Sequence, residues 1–192
     1  MSSLQKISFF FLIIITIAGC TTPPQTSNYY LIESTAQQSQ LNSDQQIVLL
    51  PIQLSDYLKS ANLHVKNNSG QVIYSSTDLW AEQPNKMLWR VIQQNLEEQT
   101  GHHVLASFDT SNNCAKIKIQ LDELSPSNTG DVTTNGRWFI HSENKTLRTN
   151  KFSFTGRIDS DGFSNSNLVL SKHLQQLSSQ LNETIKSLGL CR

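Results

Sequence analysis

Apolar positions along this chain change period several times, and each change marks an element. Tyr29-Tyr30-Leu31-Ile32 predicts a first strand, and Gln46-Ile47-Val48-Leu49-Leu50-Pro51-Ile52 predicts a buried one with Pro51 near its end, where a missing donor is tolerated. Leu63-His64-Val65 and Gln71-Val72-Ile73-Tyr74 flank Asn67-Asn68-Ser69-Gly70, so β-formers around turn residues predict a hairpin. Leu88, Val91, Ile92 and Leu96 recur at helical spacing. Pro84 suits the first turn of that helix and Gly101 its C-terminal cap. Val104-Leu105-Ala106 is a short strand, and the alternation of Ala115, Ile117, Ile119 and Leu121 with Lys116, Lys118 and Gln120 predicts a half-buried one. Two longer strands follow over 131–142 and 146–158, joined at Asn144-Lys145. Asn135-Gly136 sits inside the first of them, which predicts a bulge or a close backbone contact rather than a turn. After Asp161-Gly162, the residues Leu170, Leu174, Leu177, Leu181, Ile185 and Leu188 form the stripe of a long amphipathic helix. The expected fold class is α+β: a single domain with a mostly antiparallel sheet and two amphipathic helices on one face.

The first twenty residues follow another logic. Lys6 precedes an apolar run from Ile7 to Ile17, too short for the roughly 20 residues of a bilayer span but suited to a signal peptide. The run ends in Ile17-Ala18-Gly19-Cys20, small residues before a thiol, which is the lipobox pattern of bacterial lipoproteins. The expected divisions are a signal peptide over 1–19, a lipidated tether over 20–28 and one domain over 29–192. Lipidation at Cys20 would fix the chain to a membrane: each buried methylene contributes about 0.8 kcal/mol, and several acyl chains make release negligible. Thr21 and Thr22, rather than aspartate, follow the cysteine, which favours the outer membrane.

Composition narrows the partners. Lysine plus arginine and aspartate plus glutamate number 15 each, so the balanced chain has no basic run for nucleic acid. Cys114 and Cys191, distant in sequence and expected in an oxidising compartment, read as a disulfide contributing about 4 kcal/mol in the chain-entropy model. Catalytic motifs for phosphate loops, zinc hydrolases and serine esterases are absent from the sequence, and nothing in it implies a cofactor or a metal. His102-His103 and Asp122-Glu123 are adjacent pairs whose side chains diverge on extended backbone, and Asp159-x-Asp161-Gly162 lacks the later ligands of a calcium loop. Tyr29, Tyr30, Tyr57, Tyr74, Trp80, Trp89 and Trp138 default to core packing.

Several segments together carry a resemblance. The lipobox precedes Tyr29-Tyr30-Leu31, then Asp56-Tyr57-Leu58, Leu79-Trp80-Ala81-Glu82, Gly130-Asp131-Val132 with Gly136-Arg137-Trp138, and Phe152-x-Phe154. In that order, from Tyr29 to Leu188, the chain resembles the PqiC-like lipoproteins among the ABC-type transport auxiliary lipoproteins. The resemblance implies a non-enzymatic accessory of an intermembrane lipid-transport system. Its partner would be an inner-membrane protein with mammalian-cell-entry (MCE) domains, whose tunnel the lipoprotein docks at the outer membrane, and a homo-oligomeric ring would match the tunnel's symmetry. Tyr57 and Trp80 lie in the most specific segments and stand as partner contacts or as core. The Cys114/Cys191 pair departs from the family pattern. A different class, the outer-membrane lipoprotein that regulates a periplasmic cell-wall synthase, would need a longer tether than residues 21–28 supply.

Overall fold

The computed structural model describes residues 25–37, 41, 45–106, 113–142 and 145–191. Among them the strands are β1 (Asn28–Tyr30), β2 (Gln46–Leu49), β3 (Gln53–Leu54), β4 (Asn62–Lys66), β5 (Val72–Trp80), β6 (His103–Leu105), β7 (Asn113–Pro126), β8 (Asp131–Ser142) and β9 (Lys145–Arg157). The helices are α1 (Pro84–Thr100) and α2 (Phe163–Ser187), with a short 3-10 turn over Asp56–Lys59.

Strand β7 organises the molecule. Its alternating residues Ala115, Ile117, Ile119 and Leu121 are fully buried beneath the helices. It pairs antiparallel with β8, which pairs antiparallel with β9. Its other edge takes β2 and then β3, both parallel, and a parallel bridge from Lys66 of β4 to Ser127 continues the line. Strand β6 pairs with β2, completing a six-stranded sheet, while β1, β5 and β4 form a second sheet of three.

The fold is α+β, as the periodicities predict, and the structure refines three details. The sheets are mixed: the antiparallel character belongs to β4–β5 and β7–β8–β9, whereas β1, β2, β3 and β6 pair in parallel. The strand expected over 46–52 stops at Leu49: Leu50 N still donates to Ile117 O at 2.9 Å, but Pro51 has no N–H to give, and pairing with β7 resumes beyond the expected range at β3. The first strand is Asn28–Tyr30, with Leu31 and Ile32 beyond it.

Both helices follow their stripes. In α1, Met87, Leu88, Val91, Ile92 and Leu96 are fully buried, and Gly101 ends the helix in the left-handed region (φ 72°), its N–H donating to Glu97 O at 3.0 Å. In α2, Leu170, Leu174, Leu177, Leu181 and Ile185 are buried, and the helix packs on α1 and on β7, β8 and β9. Of the two readings of Gly136, the close backbone contact holds, while the bulge falls on the facing strand. Asp122 of β7 is the extra residue of a bulge opposite Asn135 and Gly136, and a Cβ on Gly136 would collide with Gln120 O.

Candidate functional site

The first described residues build one face of the domain. Strand β1 lies parallel to β5, so Asn28 meets Asp78 and Tyr30 meets Trp80. The Asp78 carboxylate gathers this junction: it accepts from Ser75 Oγ at 2.7 Å, Asn28 Nδ2 at 3.0 Å and the Tyr30 hydroxyl at 3.1 Å. Those donors hold its pKa below the usual carboxylate range, while desolvation first, and then Asp78, raise that of Tyr30. Tyr30 also meets Phe163 of α2 edge-on, with ring centroids 6.0 Å apart.

Beyond β1 the chain is stitched to both helices. Ile32 is fully buried, Ser171 Oγ donates to Glu33 O at 2.6 Å, and Ser34 Oγ meets Asn95 Oδ1 at 2.5 Å. An open cleft of about 420 Å³ remains between this segment and the first half of α2, with Tyr29, Leu31, Leu168 and Lys172 in its lining. Alternation turns Tyr29 and Leu31 outward while Tyr30 and Ile32 turn in. Leu168 lies off the buried stripe of α2 and is exposed.

A second cluster joins the two sheets. His64 Nε2 and Ser125 Oγ are 2.7 Å apart, with Tyr57 and Tyr74 edge-on to the imidazole at 5.4 and 5.8 Å. Beside them Glu123 bridges Lys66 at 2.7 Å and Asn135 at 2.8 Å. Desolvation lowers the His64 pKa, and the nearby Glu123 opposes this more weakly. The spacing of His64 and Ser125 suits a base and a nucleophile, but at 5% and 2% exposure the pair is closed to a substrate. Its role is to tie β4 to β7.

The structure separates most of the residues singled out in the sequence. Cys20 lies outside the described residues. Cys114, at the start of β7, and Cys191, past the end of α2, are paired with their Cα atoms 5.1 Å apart. Trp80 and Trp138 are core, and Tyr30, Tyr57 and Trp89 pack against it. Tyr57 also donates its hydroxyl to Asp122 O at 3.1 Å. Core packing fails for Tyr29 and Tyr74, which are exposed because each faces outward from its short sheet. Asp122 and Glu123 diverge, the first toward Arg137 at 3.8 Å and the second toward Lys66. Among the described residues, no group of three His, Cys, Asp or Glu side chains is placed to hold a metal ion. Two features escaped the sequence reading. Leu168 carried a signal, being out of phase with the other leucines of its helix; the His64–Ser125 contact carried none, because it spans two sheets.

An α+β domain whose first strand starts just past a lipobox defines a class, and comparison with known families agrees. The model of the ABC-type transport auxiliary lipoprotein component matches residues 29–182, and the chain belongs to that family, the PqiC-like or DUF330 proteins. Among solved structures the fold is similar to an uncharacterized protein (TM-score 0.74, 18% identity, 83% of this chain and 99% of that one). It is also similar to protein XCC0632 from Xanthomonas campestris (TM-score 0.67, 13% identity, 81% of this chain and 93% of that one). No curated protein matches the chain.

Proposed function

We propose that this lipoprotein is a non-enzymatic accessory of an MCE-type intermembrane lipid-transport system. The chain is exported, cut before Cys20, acylated on that cysteine and held at the outer membrane facing the periplasm. There it docks the periplasmic tunnel of an inner-membrane MCE-domain partner and supports the integrity of the envelope. A symmetric tunnel favours a symmetric collar, so the lipoprotein works as a homo-oligomeric ring. In the same oxidising compartment Cys114 and Cys191 form a disulfide.

The observation that carries this reading is the position of the family match. It opens at Tyr29, leaving only residues 21–28 between the acylated cysteine and the folded domain. A tether that short keeps the domain beside its own membrane and argues against a regulator reaching through the cell wall.

The test is purification of the full chain from membranes of the producing cell, with Cys20→Ala as control. The expected result is an MCE-domain protein enriched with the acylated chain and lost with the variant. If the acylated chain brings down no MCE-domain protein, and its deletion leaves intermembrane lipid exchange unchanged, the reading fails.

A further inference from the structure

The side chains of the cleft beside β1 do not suit water. Tyr29 is 68% exposed, Leu168 62% and Leu31 38%, and all three line that opening between the 29–35 segment and α2. Their neighbours hold them in place. Tyr30 and Ile32 are turned inward between the outward residues, and Leu31 O accepts from Asn167 Nδ2 at 3.5 Å, one residue before Leu168. Ser164 and Lys172, one helical turn to either side of Leu168, give the patch a polar rim on the helix side, with one cation there and one anion, Glu33, on the opposite wall. Exposed apolar clusters with a polar rim mark interaction surfaces, and an aromatic hydroxyl, leucines and a lysine are the side chains that settle at a headgroup boundary.

We propose that Tyr29, Leu31 and Leu168 form a seat that rests on the bilayer, with Lys172 reaching up to the lipid phosphates. The inference rests on the reading of Cys20 as the acyl anchor. Residues 21–28 separate that anchor from Tyr29, and a fully extended chain of that length spans only about 30 Å. The lipid surface is therefore tethered within reach of this patch, at an effective concentration that an untethered partner does not match. Tyrosine and leucine enter the headgroup–acyl boundary, the open cleft gives lipid room beside them, and the lysine stem lies along apolar surface while its ammonium meets the phosphates. The seat fixes how the domain stands on its membrane, which a flexible tether alone leaves free.

The experiment uses the full protein, isolated from membranes and placed in vesicles of phosphatidylethanolamine and phosphatidylglycerol. The vesicles contain a phospholipid with a photoreactive diazirine near the top of its acyl chain. After irradiation, adducts on Tyr29, Leu31 and Leu168 are expected to exceed those on Leu147 by about tenfold. Leu147 is a fair reference, being 42% exposed and placed on β9, in the other sheet from β1. Y29S/L168S is expected to lose the adducts while its Cys20 stays acylated. Equal labelling of Leu147, or cross-links joining these residues to a second copy of the chain, overturns the proposal. The mass of the N-terminal peptide in the same digest reads acylation separately. A chain without acyl groups defeats the anchor reading; labelling of the three residues in that chain still supports the seat, and its absence there overturns it.

Discussion

Single residues join the two sheets to each other and the second helix to the larger sheet, and two of them titrate. Burial lowers the pKa of His64 against Ser125, and that of His173, whose Nδ1 lies 3.0 Å from Thr134 Oγ1. The unfolded chain binds protons near pH 6.5 that the folded chain still refuses, so stability rises with pH through this window. It is fully present above about pH 6.5 and is lost as pH falls through the lower folded values. We expect the urea midpoint to be flat above about pH 7 and to drop on acidification toward pH 5. The double variant H64Q/H173Q should flatten that slope, and an unchanged slope would move its origin elsewhere. Asp78, also lowered, acts with the same sign but only below the ordinary carboxylate range. A second residue-scale prediction concerns Gly136, where a methyl group meets the Gln120 carbonyl of the neighbouring strand. G136A should lower the unfolding free energy by about 2–4 kcal/mol in denaturant titration, since backbone must move to admit it. The conflict between Gly136 and a strand pattern was legible in the sequence. The partner that explains it, the bulged Asp122, was not, since strand register is set in space.

At the scale of elements, the sequence was most readable where one period ran long. The stripes of α1 and α2 and the alternation of β7 placed the core almost residue by residue, because burial on one face demands that repetition. It was least readable between Leu50 and Ile52, where an apolar run with a proline conceals the gap between two parallel strands. Parallel pairing itself left no local signal, since β2 finds its partners more than fifty residues away. The join between α2 and the sheet is tight at Gly156, where an added Cβ would lie 2.5 Å from Val169 Cγ1 and 3.1 Å from His173 Nε2. G156A is expected to destabilise by about 1–3 kcal/mol through overpacking, and G156A/V169A to recover part of the loss. Thermal unfolding of the pair checks this, and strictly additive losses would mean that no shared contact exists. The far end of α2 is held differently, by Cys191 against Cys114 across a sequence separation of 77. C191S should cost about 4 kcal/mol under oxidising conditions and nothing in the presence of reductant. Free thiols at both positions on non-reducing mass analysis would remove that stabilisation from the account.

For the whole molecule, the candidate surface was only half legible. The order of short segments after the lipobox pointed to the family, and Tyr57 and Trp80 within them turned out to pack on or within the core. Those segments help to build the core of the domain. The exposed face by β1 draws on two stretches more than a hundred residues apart, which no local pattern connects. Its contribution to membrane residence is expected to be secondary to the anchor. C20A should release the chain from sedimented membranes, whereas Y29S/L168S should remain bound but orient less uniformly. Accessibility of the β9 edge to a soluble protease reads that orientation, and indistinguishable digestion of parent and Y29S/L168S would count against it.

Because β2 and β3 are laid in turn along one edge of β7, residues 46–54 have no strand partner in the first half of the chain, although β1, β5 and β4 pair among themselves there. Residues 46–54 find their strand partners only once residues 103–121 are present. A chain exported as proposed above must stay loose until late in its passage, and this wiring delays the pairing of β2 and β3. The delay leaves β-forming segments such as Gln46–Leu49 unpaired until β7 arrives. Holding those strands apart during that interval is a task for the machinery that escorts the chain, and the wiring of the fold sets how long the task lasts.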